Sequence, residues 1–473
     1  MSSGPTTWAP AVRAQAGSAA LVVGALAAAL VVGTLVTFDV FVALAIVVAA
    51  GLAALVVADV GLLPVFLVVT MFVESVSLGS GLRISRVAGV LALLVLAYYL
   101  LNGGRAGLRP NLLFALAGGY GFWILASAFW ADDSRLVLST FASFVLAAAY
   151  VLSFGVLTRT PRHFEAIFFA LAVGSLVFGS IAIVTYLQSH GAARGSGLQG
   201  DPNYFAVYQV IALPAALTLA TLERRPQRRV LYYGIVVIVV LSVIASLSRT
   251  GLVALAAVAL ATLLLPWRVF FRDRAQKATY VVALVLAAMI AGAVASSTFA
   301  GRVDSIVHPY RLNDRGSGRI DLWSAAWHGW KSHPWFGLGA GNFQAHALDL
   351  LETTPGVNTQ ANYVKAGGRE VHNAYLESLT ELGPLGLGLF LGVICATGAA
   401  FVSAGRRARA LGEHALERFS LSGLASLLAF ALSAFFLSNE LGKALWVLVG
   451  IAVALDATTR RIASARAGEP ARR

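Results

Sequence analysis

One histidine lies where a polar stretch meets an apolar one. His372 ends a long polar segment, and Asn373 opens the apolar run that follows. An imidazole gains or loses a proton near neutral pH. At such a boundary both water and a lipid-borne substrate have access to it. The position therefore predicts a general base at a membrane surface.

Two carboxylates follow within the same apolar run. Glu377 and Glu381 are four residues apart, which places them on one face of a helix. Charged groups inside a membrane span are costly and usually serve a function. We expect them either to orient His372 and contact a substrate or to pair with a lysine or arginine of a neighbouring helix. Asn373 either contacts substrate or caps the helix.

Two arginines are candidates for binding an anion. Arg249 lies in a short polar break, 246–251, between two apolar runs, and Arg194 precedes a glycine-rich segment after which a helix begins near Asn203. A guanidinium binds phosphate oxygens in a forked geometry, and a helix N-terminus favours anions. The alternative is that each arginine only anchors its helix at the membrane surface.

The composition sets the class of protein. Of 473 residues 58% are hydrophobic and 12% charged, which is too little polar surface to cover a soluble globule. The net charge of +13 does not indicate a nucleic-acid partner, because the arginines cluster in short gaps between apolar runs. Cys395 is the only cysteine, which excludes an intramolecular disulfide. These features predict a polytopic membrane protein.

The apolar runs predict an all-α bundle of about 12–14 transmembrane helices at roughly 20 residues per span. We divide the chain into transmembrane helices over 1–297, a long loop over 298–371, and C-terminal helices with a tail over 372–473. The predicted helices are 16–36, 40–58, 61–77, 87–102, 111–130, 136–157, 164–188, 203–221, 230–247, 251–267, 279–297, 373–402, 419–438 and 441–458.

Basic residues predict the orientation. They fall in every second gap between helices, which the positive-inside rule assigns to the cytoplasm. These gaps contain Arg105 and Arg109, Arg159 and Arg162, Arg224 to Arg229, Arg268 to Lys277, Arg406 to Arg418, and the tail from Arg460. Both termini are therefore predicted inside, and every candidate residue above outside. Only Arg83 and Arg86 break the alternation.

The long outer loop contains an aromatic helix. Tryptophans at Trp323, Trp327 and Trp330 recur at helical spacing after Arg319, and such a face suits the headgroup layer. Arg319 is a further candidate for an anionic group. Four other histidines lie in the loop without the spacing of a zinc site. Asp132 and Asp133 leave open a divalent metal, although we expect none.

Several motifs together resemble the bacterial O-antigen ligase and polymerase (Wzy-C-like) family. His372-Asn373 is followed after nine residues by Gly383-x-x-Gly386, and a Gly-x-Gly-x-Gly-x-Phe string precedes the histidine. The family also shows an Arg, Gly, Pro-Asn succession and a Ser-Arg-x-Gly, which match Arg194, Pro202, Asn203 and Arg249 here. The resemblance covers residues 110–440.

This resemblance implies a GT-C-like membrane glycosyltransferase. It would transfer a glycan from a polyprenyl pyrophosphate carrier to a glycan or lipid acceptor, outside the cytoplasmic (inner) membrane of a bacterium, without metal or other cofactor. Arg194, Arg249 and Arg319 would bind the pyrophosphate, and His372 would assist deprotonation of the acceptor hydroxyl. Direct displacement would invert the anomeric carbon.

The residues do not separate three alternatives. A ligase and a polymerase of lipid-linked repeat units share the same donor chemistry. A flippase for the same lipid-linked glycan would also need arginines for the diphosphate, although it would not need His372. A scaffold for envelope assembly explains neither the arginines nor the carboxylates.

Overall fold

The computed structural model describes residues 59–74, 76, 83–104, 107–109, 111–264, 269–294, 318–357 and 370–468. The chain divides into two compact units, Met1–Leu62 and Leu63–Arg473, and all the helices described below belong to the second. The predicted helices 16–36 and 40–58 lie outside the described residues.

The described part of Leu63–Arg473 is built of helices, with no β-strand among these residues. The helices are α1 (Leu63–Met71), α2 (Ile84–Leu101), α3 (Leu112–Ala126), α4 (Ser134–Leu157), α5 (Pro161–Gln188), α6 (Pro202–Leu222), α7 (Pro226–Ala245), α8 (Arg249–Leu264), α9 (Arg274–Val294), α10 (Arg319–Ser332), α11 (Asn342–Thr353), α12 (Ala374–Ala410), α13 (His414–Ser433) and α14 (Lys443–Gly468). Eight described helices are long and apolar enough to cross a membrane. The predicted all-α polytopic class is confirmed. The predicted membrane sides stay a prediction.

Capping residues set several helix starts earlier than hydropathy predicts. The helix predicted from residue 203 begins at Pro202, where Asp201 accepts hydrogen bonds from the N–H groups of Asn203 and Tyr204. The helix predicted from residue 164 likewise begins at Pro161, capped by Thr160. Proline suits the first helical position because its missing N–H would have no partner there.

Two C-terminal helices run further than predicted. α12 extends to Ala410 and α14 to Gly468, whereas hydropathy ends them near 402 and 458. The added turns contain arginine and alanine, which favour helix as much as leucine does but are not apolar as a group. Hydropathy measures the apolar length of a helix, so it misses these polar extensions.

Helix α6 lies at the centre of the bundle. Of its most apolar 18-residue window 94% is buried, more than in any other candidate span described. It packs against α5, α7, α8 and α13, while α12 packs against α3, α13 and α14. α6 is therefore surrounded by helices from distant parts of the chain.

Helix α12 is kinked at Gly383. This residue has φ +67° and precedes Pro384, which has no N–H to donate. A side chain at Gly383 would put its Cβ 2.2 Å from the Trp335 carbonyl oxygen. The kink thus needs glycine for its backbone angle and for the close approach of the preceding loop.

The carbonyls left by the kink bind the glycine-rich turn. Thr380 O accepts from Leu338 N at 2.9 Å, and Glu381 O accepts from Gly339 N at 2.8 Å. The indole of Trp123 donates to Leu382 O at 2.8 Å. A buried carbonyl without a donor would be costly, so the kink and the turn at 337–341 stabilise each other.

Helices α10 and α11 form a pair that packs on α12. α10 matches the helix predicted from the tryptophans, whereas α11 was not predicted. Its residues Phe343, Ala347 and Leu351 are buried at a spacing of four and pack on Leu322 and Ala326 of α10 and their neighbours. This spacing of four is visible in the sequence. It was outweighed because the glycines before α11 and the polar residues within α11 favour a loop.

Candidate functional site

His372 lies at the start of α12 in an unusual backbone conformation. Its φ is 55°, in the left-handed region that side chains other than glycine and asparagine rarely adopt. Its N–H donates to Ser438 Oγ at 3.0 Å. Asn373 caps α12, accepting from Tyr375 N and Leu376 N at 3.1 Å each. The cap fixes the first turn of α12, and the imidazole is partly buried beside it.

Arg194 is held by two segments that are distant in sequence. Its Nε donates to Ser246 O at 3.0 Å, and its Nη2 donates to Asn203 Oδ1 at 3.0 Å. Ser248 Oγ donates to the same Asn203 oxygen at 2.9 Å. Gly195 N also donates to Ala245 O at 2.8 Å. We call Arg194, Asn203 and Ser248 the arginine cluster.

Arg249 begins α8 directly after this cluster. Ser248 Oγ accepts from Gly251 N at 3.1 Å and so caps the helix. The same hydroxyl contacts Asn203, so the backbone of Arg249 is tied to the arginine cluster. Its side chain is partly buried. Two arginines that are 55 positions apart in the sequence therefore start from one small region of the structure.

Tyr204 connects the arginine cluster to His372. Its hydroxyl lies 3.0 Å from Glu370 Oε2 and 2.6 Å from Ser438 O. Ser438 also accepts the N–H of His372. Since Tyr204 follows Asn203 in α6, the start of α6 touches both Arg194 and Ser248 of the arginine cluster and the segment that contains His372. The structure thus brings Arg194, Asn203, Arg249 and the segment 370–373 around His372 to one end of α6. We call this region the junction.

Charge near this junction includes residues that sequence reasoning missed. Burial raises the pKa of the Glu370 carboxyl, while its hydrogen bond with Tyr204 and the positive charge of Arg83 lower it. Arg83 is one of the two basic residues that break the predicted alternation. Its position outside the alternation was the sequence feature that could have pointed to Arg83. Tyr204, Glu370 and Ser438 gave no such signal, because the contacts of Tyr204 with the other two link positions more than 160 residues apart.

Glu381 binds the backbone of α11. Its carboxylate accepts from Gly341 N at 2.7 Å and from Phe343 N at 3.1 Å. A carboxylate at a helix N-terminus interacts favourably with the unpaired N–H groups and the helix dipole. This contact differs from both predicted roles and helps to fix α11 on α12.

Glu377 lines a small cavity with Ser378 and Glu440. Glu377 Oε2, Ser378 Oγ and Glu440 Oε2 are buried there. The cavity has a volume of about 10 Å³, close to the room one water needs. Burial, together with the nearby carboxylates Glu381 and Glu370, raises the pKa of Glu440, in the turn after α13, to about 8. The Glu440 carboxyl can therefore hold a proton at neutral pH.

The remaining predicted residues lie on other elements. Arg319 is the first residue of α10, which packs on α12, and it is partly buried. Asp132 contacts His346 at 3.1 Å, and Asp133 caps α4 through Arg135 N at 2.8 Å. Among the described residues, no group of three or more histidine, cysteine or acidic side chains is arranged to bind a metal.

Part of the chain matches a known protein family. A family model described as O-antigen ligase matches residues 234–391. The matched segment includes Arg249, Arg319, His372, Glu377 and Glu381, while Arg194 and Asn203 precede it. No curated protein matches the chain. This match supports the family predicted from the motifs, and that family implies ligase-type activity on lipid-linked glycans in a bacterial membrane.

Proposed function

We propose that this chain of the O-antigen ligase family transfers a glycan from a polyprenyl pyrophosphate carrier to an acceptor hydroxyl, with inversion at the anomeric carbon. The observation that supports it is the shared junction of two arginines and a histidine at the start of α6. Each group has a chemistry that this transfer requires, and the three come from different parts of the chain.

The guanidinium groups of Arg194 and Arg249 bind the oxygens of the pyrophosphate. In the reaction the bond between the anomeric carbon and the pyrophosphate oxygen breaks, and negative charge grows on the leaving group. Positive groups already positioned at that charge stabilise the transition state more than the ground state. Asn203 and Ser246 hold Arg194 in place, so its orientation does not depend on substrate.

His372 accepts the proton of the acceptor hydroxyl as that oxygen attacks the anomeric carbon. The new glycosidic bond forms on the face opposite the departing pyrophosphate, which inverts the carbon. The left-handed backbone of His372 is held by the bond to Ser438 and by the Asn373 cap. Strained backbone of this kind is typical of positioned functional groups.

The membrane side and the acceptor class are part of this proposal. The arginine alternation favours the outer side of the cytoplasmic membrane, with both termini inside. We favour a ligase, because the matching family model has that description, over a polymerase of repeat units.

Reconstituted protein with extracted carrier-linked glycan tests these assignments. A single transfer to a separate acceptor supports the ligase, and a ladder of products supports the polymerase. Movement of the lipid across the bilayer without a new glycosidic bond would support a flippase and contradict the transferase. Single cysteines placed in the gaps of a Cys395→Ser background would report the membrane side through labelling by an impermeant maleimide.

A further inference from the structure

A second cavity lies beside the histidine segment. Its volume is about 530 Å³, within the range of roughly 300–1,000 Å³ usual for small-molecule sites. One side of α10 forms most of its wall, and Leu376 in the first turn of α12 and Thr354 after α11 complete it. We call it the α10 groove. The pyrophosphate site described above does not include it.

Aromatic and polar side chains alternate along the α10 groove. Trp323, Trp327 and Lys331 recur every four residues and so share one face of α10 with Ser324 and His328 beside them. Such a mixture, apolar surface with a few polar groups at its edge, is common in ligand sites. The composition differs from that of a helix face that only contacts lipid, which would not need three polar side chains inside a concave wall.

The two indoles are held in place. Trp327 packs on Trp330 with ring centres 4.6 Å apart, and Lys331 Nζ lies 5.8 Å from the centre of the Trp327 ring. Trp327 still exposes 44% of its surface. The ring centres of Trp323 and Phe436 are 6.3 Å apart. A rigid and partly exposed indole can stack on a flat apolar surface with little loss of entropy.

We propose that the α10 groove binds the saccharide of the acceptor. The C–H faces of a pyranose ring are apolar and stack on indole, while its hydroxyls need hydrogen-bond partners. Ser324, His328, Lys331 and Thr354 supply such partners at the edge of the groove. This inference rests on the proposed transferase function and names the part of the substrate that this second surface recognises.

The position of the α10 groove relative to His372 favours the acceptor, and not the donor, as its occupant. The groove lies on the α10, α11 and α12 side of the junction, whereas the arginine cluster lies on the segments around α6, α7 and α8. Val371 packs with Ala326, Trp323 and Leu376, so His372 follows directly from the groove wall. Direct displacement requires the attacking hydroxyl on the face opposite the pyrophosphate, and a saccharide in the groove would reach His372 from elements other than those that hold the arginine cluster.

Oligosaccharide binding by the full chain in nanodiscs tests the assignment without any transfer reaction. The probe is an array of oligosaccharides released from bacterial lipopolysaccharide cores, teichoic acids and peptidoglycan. We expect wild type to bind at least one class and Trp327→Ala to bind it about tenfold more weakly. Trp335→Ala is the matched control, because Trp335 is 75% exposed outside the groove. Equal binding by Trp327→Ala, or no binding by wild type, would overturn the proposal.

Two further measurements distinguish the acceptor saccharide from a lipid or the donor glycan as the occupant of the α10 groove. In nanodiscs with brominated phosphatidylglycerol, stronger quenching of tryptophan fluorescence in wild type than in Trp327→Ala would mean that lipid fills the groove. That result would contradict the proposal that the groove binds a saccharide. Where transfer is reconstituted, Trp327→Ala should raise the KM for the acceptor about tenfold and leave the KM for the donor unchanged. A changed donor KM would instead assign the groove to the donor glycan. A failed transfer assay would refute the proposed function, while the array result stands separately.

Discussion

Substituting Asn203 should separate the stability of the arginine cluster from its affinity for an anion. Asn203 Oδ1 accepts from both Arg194 and Ser248. Asn203→Asp keeps an oxygen at the same place and makes the contact with Arg194 an ion pair. Charge-assisted hydrogen bonds are stronger than neutral ones, so a partly buried pair should gain about 1 kcal/mol of folding free energy.

The same change should weaken binding of a pyrophosphate. The new carboxylate and a phosphate that contacts the opposite edge of the Arg194 guanidinium would lie roughly 6 Å apart. At an effective dielectric constant of about 20, two like charges at that distance repel by about 3 kcal/mol. This corresponds to a loss of affinity of about 100-fold. The variant should therefore unfold at a slightly higher temperature and bind its donor much more weakly.

The assay combines two measurements on the same preparation. Thermal unfolding in detergent is followed by tryptophan fluorescence, and the donor KM and inhibition by inorganic pyrophosphate are measured in proteoliposomes. Asn203→Ala is the control: it leaves the N–H and O–H donors without their acceptor and should lower both stability and activity. If Asn203→Asp kept the wild-type donor KM and the wild-type inhibition by pyrophosphate, the cluster would not be the diphosphate site.

Three further predictions concern the histidine, a buried carboxyl and the kink. His372→Asn should lower kcat by about 10²–10⁴ with an unchanged unfolding temperature, because asparagine tolerates the left-handed backbone but is no base; transfer at the wild-type rate would exclude His372 as the base. Glu440, whose folded pKa is about 8, should favour folding when protonated. Its contribution to stability should therefore fall as pH rises from about 4.5 to 8, by up to about 1.4 kcal/mol per pH unit, and Glu440→Gln should make the slope shallower by that amount in melts from pH 5 to 9. Gly383→Ala should lower the folded yield and the unfolding temperature, since its Cβ would meet the Trp335 carbonyl; Gly388→Ala, where a Cβ meets nothing within 4 Å, is its control.

Much of the fold followed from the sequence because a membrane restricts the choice of structure. Backbone groups in lipid must pair within their own segment, so long apolar runs form helices. The predicted segments from 87–102 to 230–247 correspond to α2 to α7, with ends that differ by a few residues where caps such as Asp201 intervene. The helix around Trp323 was also visible, because three tryptophans at helical spacing mark one face.

Residue type and local pattern likewise indicated Arg194, Arg249 and His372 as candidates. A forked cation, a glycine-rich segment before a helix and a titratable ring at a polar boundary are features of single short segments. Whether these three residues meet in the folded chain could not be inferred from those short segments. The arginine cluster depends on Asn203 meeting Ser248, and the link to the histidine depends on Tyr204 meeting Ser438, 234 positions away.

Tertiary structure alone decided the roles of the carboxylates and the existence of the α10 groove. Glu381 had two predicted roles and has a third, because the kink at Gly383 presents it to the start of α11. The groove arises only where α10, the end of α11 and Leu376 approach one another. Helix formation depends on neighbours within four residues, which a sequence displays directly. Side-chain partners depend on how whole helices pack, and that packing is determined by the complementary shapes of surfaces formed by distant parts of the chain.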